Sequence, residues 1–315
     1  MGQSAKNYLN QHRQPALIIK KYSFELLRQS MGLEHEIFQS IKEAPIMSPS
    51  AIRLVHLIAE EEYELDDVIS FVRLDSGLTS NILRLVNSPA FGLMKPVNSI
   101  DRAVIYLGTQ TVVSLALVNL NAHFFEQELQ GYHSPQGEFW NHELRTALTT
   151  REIARRTDYG ISPDLAFTAG LLHDLGKIVI SNYQLKVQCD LLPQVQEEQM
   201  ISYLELERSY LGTDHCQVGA ILAQQWRLPG ALESSIKYHH EPGKAPGEYK
   251  PLVYMVHIGD ALAMMAGLGT GIDILQYTLD MDYLSYYSFA FDEIAVLMIH
   301  VEEEFEQLKN ALAPI

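Results

Sequence analysis

The second half of the sequence places a histidine and an aspartate side by side in an apolar run, His173-Asp174 in GLLHDLGKIVI at 170–180. Burying an ionised group costs free energy unless the group is paired or binds a metal ion. Glu138 and His142 are four residues apart, so a helix would place both on one face. The remaining metal-capable side chains of this region are His215, His239, His240 and Asp260. We interpret the whole series as a metal-binding centre.

The donor types of this series favour particular metals. Imidazole and carboxylate groups without a thiolate suit iron, manganese, zinc or nickel. One aspartate has two oxygens and can bridge two ions about 3.5–4 Å apart, as in many sites that process phosphate. Lys177 follows Asp174 by one helical turn and is a candidate to hold a phosphate oxygen. Alternatively, Lys177 is a surface lysine that buries only the apolar stem of its side chain.

Each member of the series also has a simpler interpretation when it is taken alone. A single histidine on an apolar helix is more often a hydrogen-bonded core residue than a ligand. Asp260 alone would fit a helix cap or an ion pair. We expect His257 to pack or to support a ligand. Cys216 directly follows His215, so we expect its side chain to point elsewhere on a helix and to be an ordinary thiol.

The elements that must position these residues have a helical pattern. Apolar residues recur at three- and four-residue steps in segments such as IDRAVIYL at 100–107, and the long periodic segments lack hairpin turn signals. The predicted fold class is therefore all-α. The tripeptide SPD at 162–164 predicts a helix start, with a capping serine, a proline in the first turn and an acid near the positive end of the helix dipole. We expect this helix to run toward His173 and to end at Gly176.

Composition and charge limit the class of partner. The 315 residues include 23 lysines and arginines and 39 aspartates and glutamates, which gives a formal net charge of −16. Nucleic acids and anionic membranes are bound through basic surfaces, so we expect neither as a partner. Two cysteines, no signal-peptide pattern and no long apolar segment predict a cytoplasmic protein without a disulfide framework.

Several motifs in a fixed order give the sequence a family resemblance. The ligand series with HDLGK at 173–177 resembles the HD superfamily of metal-dependent phosphohydrolases. The resemblance to the HDOD family of bacterial signalling domains covers roughly residues 32–265 and rests on LDSGLTSNILRLVNSPAFG at 74–92, SIDRAVIYLGTQTV at 99–112, FTAGLLHDLGKIVI at 167–180 and WRLPGALESSIKYHHEP at 226–242. The HDOD resemblance implies a multi-helical HD-like bundle with an N-terminal helical subdomain, and a regulatory output role that is often without catalysis.

The resemblance also implies how the candidate ligands are grouped. The spacing is similar to that of HD-GYP enzymes, which hydrolyse cyclic di-GMP. By that similarity, one ion would bind His142, His173, Asp174 and Asp260. A second ion would share Asp174 and bind His215, His239 and His240, and Glu138 would add to a further or expanded site. The Gly-Tyr-Pro signature of those enzymes is absent from the loop EPGKAPGEY at 241–249.

Three hypotheses of function follow. The first is a regulatory HDOD protein with an intact two-metal centre, whose partner is a signalling protein or a small phosphate-containing ligand. The second is a metal-dependent phosphohydrolase acting on a nucleotide or a cyclic dinucleotide, with Lys177 and Asp174 as catalytic residues. The third is a sensor in which a di-iron centre binds a small ligand or reports redox state. Self-association into a homo-oligomer is left open by the sequence.

The chain is predicted to consist of an N-terminal arm over 1–31, an HDOD-like domain over 32–265 and a C-terminal helical tail over 266–315. Within the domain, 32–130 would be the N-terminal helical part and 131–265 the metal-binding core. We expect these parts to share one hydrophobic core, because the apolar helix faces are too extensive to remain in water.

Overall fold

The computed structural model describes residues 32–42, 47, 49–59, 63–88, 93–125, 127–184, 203–266 and 279–312. These residues are predominantly helical and contain no β-strand; an isolated bridge pairs Leu129 with Ser134. The predicted all-α fold is confirmed. Within this described part, no helix combines the length and the apolar character needed to cross a membrane. The predicted arm over 1–31 and Cys189 lie outside the described residues.

The first part of the chain contributes α1 (32–42), α2 (Pro49–Ala59), α3 (Leu65–Arg73), α4 (Ser76–Val86), α5 (Ile100–Leu107) and α6 (Thr109–Phe125). The second part contributes α7 (Glu138–Arg155), α8 (Pro163–Leu172), α9 (175–184), α10 (Tyr203–Leu211), α11 (His215–Gln225), α12 (Gly230–Tyr238), α13 (Lys250–Met265) and α14 (Phe291–Leu312). Short 3₁₀ turns occur at Gln130–Tyr132, Pro242–Lys244 and Met281–Ser285.

Local sequence explains where several of these helices begin. The side chain of Ser99 caps α5 by accepting a hydrogen bond from the backbone N–H of Arg102. Ser162 caps α8 in the same way, and Pro163 occupies the first helical position. Such caps satisfy backbone donors that have no partner inside the helix. The helix start predicted at 162–164 is confirmed.

The end predicted for α8 was wrong. The helix stops at Leu172, His173 is its C-terminal capping residue, and α9 is helical from residue 175. Gly176 therefore lies in the first turn of α9 instead of ending α8. The reason is a tertiary contact: a Cβ at Gly176 would lie 1.8 Å from the carbonyl oxygen of His215, so only glycine lets the two backbones approach.

Helices α7, α8 and α13 pack against one another at the centre of the fold, and α14 packs across α7 and α4. One hydrophobic cluster extends from Ile37 in α1 to Leu308 in α14. Basic residues of α7 hold the acidic C-terminal helix. Arg145 donates two hydrogen bonds to Glu302 at 2.7 and 2.8 Å, and Arg151 is paired with Glu304. The tail is thus joined to the helix that carries the first candidate ligand.

Candidate metal centre

The structure brings seven of the predicted ligands together in the interior of the bundle. They come from α7, the α8–α9 turn, the start of α11, the turn after α12, and α13, so the centre joins elements that are far apart in sequence. None of these side chains is more than 5% exposed. They are His142, His173, Asp174, His215, His239, His240 and Asp260.

Imidazole nitrogens surround the two carboxylates of this group. Oδ1 of Asp174 lies 3.3 Å from Nε2 of His215 and 3.3 Å from Nε2 of His239. Oδ1 of Asp260 lies 3.1 Å from Nε2 of His142. Two donors that bind one ion at about 2.0–2.2 Å are separated by about 2.8–3.6 Å in tetrahedral or octahedral geometry. The observed separations therefore fit donors that share an ion.

Hydrogen bonds on the far side of two rings fix their orientation. Nδ1 of His173 donates to the carbonyl oxygen of Gly170 at 2.8 Å, and Nδ1 of His239 donates to that of Ile236 at 2.9 Å. A carbonyl oxygen can only accept, so Nδ1 carries a proton, and Nε2 offers a lone pair to a metal when the ring is neutral. Within the described residues, Nε2 of His173 is buried and has no hydrogen-bond partner. A metal ion fits this orphaned atom.

Glu207 is a buried carboxylate that orients His215, and it was not among the predicted ligands. Oε2 of Glu207 accepts hydrogen bonds from Nδ1 of His215 at 2.7 Å and from its backbone N–H at 2.9 Å. Oε1 accepts from Tyr132 and from Gln184. A carboxylate behind a ligating histidine fixes the ring and raises its basicity. Glu207 belongs to α10, and no spacing rule connects it to a ligand in another helix.

We predict that Glu207→Gln weakens metal binding by about 10- to 100-fold, because the ring of His215 loses its anionic partner. Competition with a chromophoric chelator measures this change. Glu205→Gln is the matched control, since Glu205 is an exposed acid on the same helix. Equal affinities of the two variants would contradict the role given to Glu207.

Glu143 is a second buried acid beside the centre. Its Oε2 lies 3.4 Å from Nδ1 of His173, and the residue is fully buried. Burial raises the pKa of the Glu143 carboxyl above its usual range, against the opposing charge of His173. The metal-capable atoms of His142, Glu143, His173 and Asp174 all lie within 4.8 Å of one another. Glu143 is therefore closer to the candidate ligands than the predicted Glu138.

Glu138 does not join the centre, and its predicted contribution to an expanded site is corrected here. It is the first residue of α7, is exposed, and lies 3.5 Å from the side-chain amide of Asn141. The four-residue spacing does place Glu138 one turn from His142. One turn of helix spans about 5.4 Å, however, and the turn from His142 back to Glu138 leads from the buried centre to the exposed N-terminus of α7.

Lys177 is buried, which excludes the interpretation as a surface lysine. It is 2% exposed, and its Nζ lies 2.6 Å from Oδ2 of Asp174 and 5.3 Å from the centre of the Tyr132 ring. Burial alone would raise the pKa of the Asp174 carboxyl, but the charges of Lys177 and His173 hold that pKa well below its usual range. Asp174 is thus an anion at the centre.

The two histidines after α12 have opposite electrostatic surroundings. Burial opposes the charged form of His239, but Cys216 and Asp174 raise its pKa to about 9. Burial and the charge of His239 hold the pKa of His240 well below its usual range. Metal ions bind neutral imidazole, so binding at His239 is expected to release a proton near neutral pH.

Cys216 lies nearer to the centre than the sequence analysis expected. Its Sγ is 3.9 Å from both ring nitrogens of His239. Burial raises the pKa of the thiol, but His215 and His239 lower it overall. The expected orientation was wrong because the turn after α12 packs around the first turn of α11. Side chains of consecutive residues, about 100° apart on the helix, can both face that turn.

His257 supports the centre from outside, and its expected packing role agrees with the structure. Its Nδ1 donates to the carbonyl oxygen of His239 at 2.7 Å, and its Nε2 accepts from the backbone N–H of Asp280 at 2.8 Å. Burial lowers the pKa of His257, which favours the neutral ring that this pair of hydrogen bonds requires.

Comparisons with known sequences identify the family. The sequence profile of the HDOD domain matches residues 44–242. An uncharacterized protein of Treponema pallidum (strain Nichols) is 29% identical over 235 residues, which cover 74% of this chain and 45% of the relative. The chain therefore spans about half the length of this curated relative.

Several solved structures share the fold of this chain, although fewer than a quarter of their aligned residues are identical to it. An HDOD domain protein with unknown function from Geobacter sulfurreducens has a TM-score of 0.66 at 23% identity, covering 90% of this chain and 97% of that chain. A candidate phosphohydrolase from Shewanella amazonensis SB2B has a TM-score of 0.59 at 23% identity, covering 88% and 98%. A candidate signal transduction protein from Marinobacter aquaeolei VT8 has a TM-score of 0.66 at 18% identity, covering 89% and 65%. The profile match over more than half of the chain shows that the chain belongs to the HDOD domain family.

Proposed function

We propose that this chain is a regulatory HDOD protein whose buried centre binds two transition-metal ions. The observation that carries the proposal is the convergence of five imidazoles and two carboxylates, each no more than 5% exposed. Two of the rings are also hydrogen-bonded through Nδ1 to carbonyl oxygens. Buried groups of this kind cost free energy unless charges and ligands compensate them. Bound cations supply that compensation.

Asp174 would be the ligand shared by both ions. Its Oδ1 lies 3.3 Å from Nε2 of both His215 and His239, whereas its Oδ2 lies 3.5 Å from Nε2 of His173. One ion would thus be held by His142, His173, Asp174 and Asp260, and the other by Asp174, His215, His239 and His240. Nitrogen and oxygen donors of this kind suit iron, manganese, zinc or nickel.

Burial of the centre supports regulation over turnover. Catalytic metal sites keep one coordination position open to substrate, and a phosphate ester must reach the ions to be hydrolysed. Here the side chains of the seven ligands are at most 5% exposed, and Lys177 is 2% exposed and paired with Asp174. A buried centre that joins α7, α8, α11, α12 and α13 stabilises one arrangement of these helices. Metal occupancy would therefore control the surface that the fold offers to a signalling partner.

A phosphohydrolase is the second candidate, and the position of Lys177 favours it. The ammonium group lies 2.6 Å from the carboxylate that both ions would share. From this position it could neutralise charge on the phosphate oxygen of a nucleotide or cyclic dinucleotide. Bound metal ions would polarise the phosphate and lower the pKa of water.

Elemental analysis followed by a hydrolysis assay separates the two candidates. The full chain is purified without chelator, supplied with manganese, iron or zinc, and incubated with bis(p-nitrophenyl) phosphate and cyclic dinucleotides. The regulatory proposal predicts about two ions per chain and no more hydrolysis than in Asp174→Ala prepared in the same way.

Metal-dependent hydrolysis by the wild type would contradict the regulatory proposal, provided that Asp174→Ala abolishes it and Lys177→Ala slows it while keeping the metal. That pattern would establish the phosphohydrolase instead. A wild-type chain that binds none of the supplied metals would contradict both candidates.

A further inference from the structure

Resting on the proposed metal centre, we infer that His257 is a positioning residue that couples this centre to the C-terminal segment over residues 279–289. Metal binding and docking of the segment stabilise each other, so the segment loosens when the ions leave. The segment lies beyond residues 44–242, which match the HDOD profile. The coupling is thus a form of regulation that this chain adds to the matched part of the domain.

The ring of His257 joins the turn after α12 to the C-terminal segment. Its Nδ1 donates to the carbonyl oxygen of His239 at 2.7 Å, and its Nε2 accepts from the backbone N–H of Asp280 at 2.8 Å. A carbonyl oxygen can only accept and a backbone N–H can only donate, so each partner matches one nitrogen of the ring. The ring is 3% exposed. One buried side chain therefore connects a candidate ligand with the segment.

The carbonyl group that His257 holds belongs to the peptide unit between His239 and His240. A peptide unit is planar and includes the Cα atoms of both residues. A hydrogen bond that orients this carbonyl therefore also orients the backbone from which both candidate ligands project. His239 is the capping residue at the end of α12, where carbonyl groups have no partner inside the helix. His257 thus positions two candidate ligands through their shared backbone.

The C-terminal segment docks on the same helix that carries His257. The ring of Tyr286 stacks on that of Tyr254 with the ring centres 4.6 Å apart, and the hydroxyl of Tyr287 donates to the carbonyl oxygen of Pro251 at 2.9 Å. These contacts hold the segment along α13, next to the hydrogen bond that reaches His239. Coupling between two binding events is reciprocal. If docking of the segment raises metal affinity, metal binding must favour docking by the same factor.

Two substitutions of Asp280 isolate the hydrogen bond to His257. Asp280→Ala and Asp280→Pro both remove the carboxylate, but only proline removes the backbone N–H. The backbone φ of Asp280 is −75°, which proline can adopt. Zinc affinity of the full chain is measured by competition with a chromophoric chelator. We expect Asp280→Pro to bind zinc about tenfold more weakly than Asp280→Ala, because the support behind two ligands is lost.

A second readout uses the unmodified full chain and so does not depend on how the proline variant folds. The backbone N–H groups of Tyr286 and Tyr287 donate to the carbonyl oxygen of Tyr283 at 2.9 and 2.8 Å, so hydrogen exchange at these groups reports opening of the segment. Helix α3, which packs on α4, α5 and α6, is the internal control. We expect zinc to slow exchange in the segment about tenfold more than in α3. His257→Leu should remove this difference.

The outcomes separate the coupling from the metal centre itself. Equal zinc affinities of the two Asp280 variants, or equal slowing of exchange in the segment and in α3, would overturn the coupling while leaving the centre intact. A difference in exchange that persists in His257→Leu would overturn the role of His257. Failure of the wild type to bind zinc would contradict the proposed centre.

Discussion

Asp174→Ala is expected to remove both metal ions and to destabilise the fold. The two oxygens of Asp174 face different histidines, with Oδ1 near His215 and His239 and Oδ2 near His173. The variant also removes the carboxylate that lies 2.6 Å from the ammonium of Lys177. Breaking a buried ion pair by removing one partner costs about 3–5 kcal/mol. We expect the free energy of unfolding of the metal-free chain to fall by about this amount.

Elemental analysis and urea unfolding in the presence of a chelator measure the two effects. Asp174→Asn nearly preserves the side-chain volume, so it separates loss of charge from loss of packing. Glu138→Ala is the control for metal binding, because Glu138 is an exposed acid on the helix that carries His142. Asp174→Ala with a full complement of metal would show that Asp174 is not the shared ligand. An unfolding midpoint equal to that of the wild type would contradict the stabilising ion pair with Lys177.

We also predict a large loss of unfolding free energy for Gly176→Ala, although this substitution adds only one methyl group. The new Cβ would lie 1.8 Å from the carbonyl oxygen of His215 and 2.8 Å from the backbone nitrogen of Gly219. Both are backbone atoms of α11, which cannot move aside as a flexible side chain would. Helix α9 must therefore separate from α11 and displace Asp174 from His215. Overpacking of a core costs about 1–3 kcal/mol or more, and we expect at least about 3 kcal/mol here.

Gly247→Ala is the matched control for this substitution. No described atom lies within 4 Å of the position that its Cβ would occupy. We expect its unfolding free energy to stay within about 0.5 kcal/mol of the wild type and its metal content to be unchanged. If Gly176→Ala is as stable as Gly247→Ala and binds metal equally well, then α9 and α11 do not need this close approach.

Local sequence was sufficient to predict the fold class and some helix starts. Periodic apolar residues predicted helices, and the cap at Ser162 with Pro163 predicted the start of α8, because both signals act within a few residues. The end of α8 could not be predicted in this way. Gly176 is a frequent helix-ending residue type, but here it is required by the carbonyl oxygen of His215, a contact between segments about 40 residues apart.

The candidate site was predictable where residue type alone indicated chemistry. Clustered histidines and aspartates marked the candidate ligands before any helix packing was known. Glu143 and Glu207 were missed, and the orientation of Cys216 was predicted wrongly, because these positions depend on which helix faces touch. Glu138 was selected by a spacing that fixes only its position relative to His142. Spacing does not indicate how far the centre lies from the end of α7.

The location of metal ions in crystals of the zinc-loaded full chain is the most direct test of the central claim. Anomalous peaks that are present in data collected above the zinc absorption edge and absent from data collected below it mark the positions of zinc. We predict two peaks that flank Asp174, each about 2.0–2.2 Å from nitrogen or oxygen atoms of the candidate ligands. With zinc supplied, the absence of any peak between Asp174 and the surrounding histidines, or peaks confined to the surface, would contradict the metal centre.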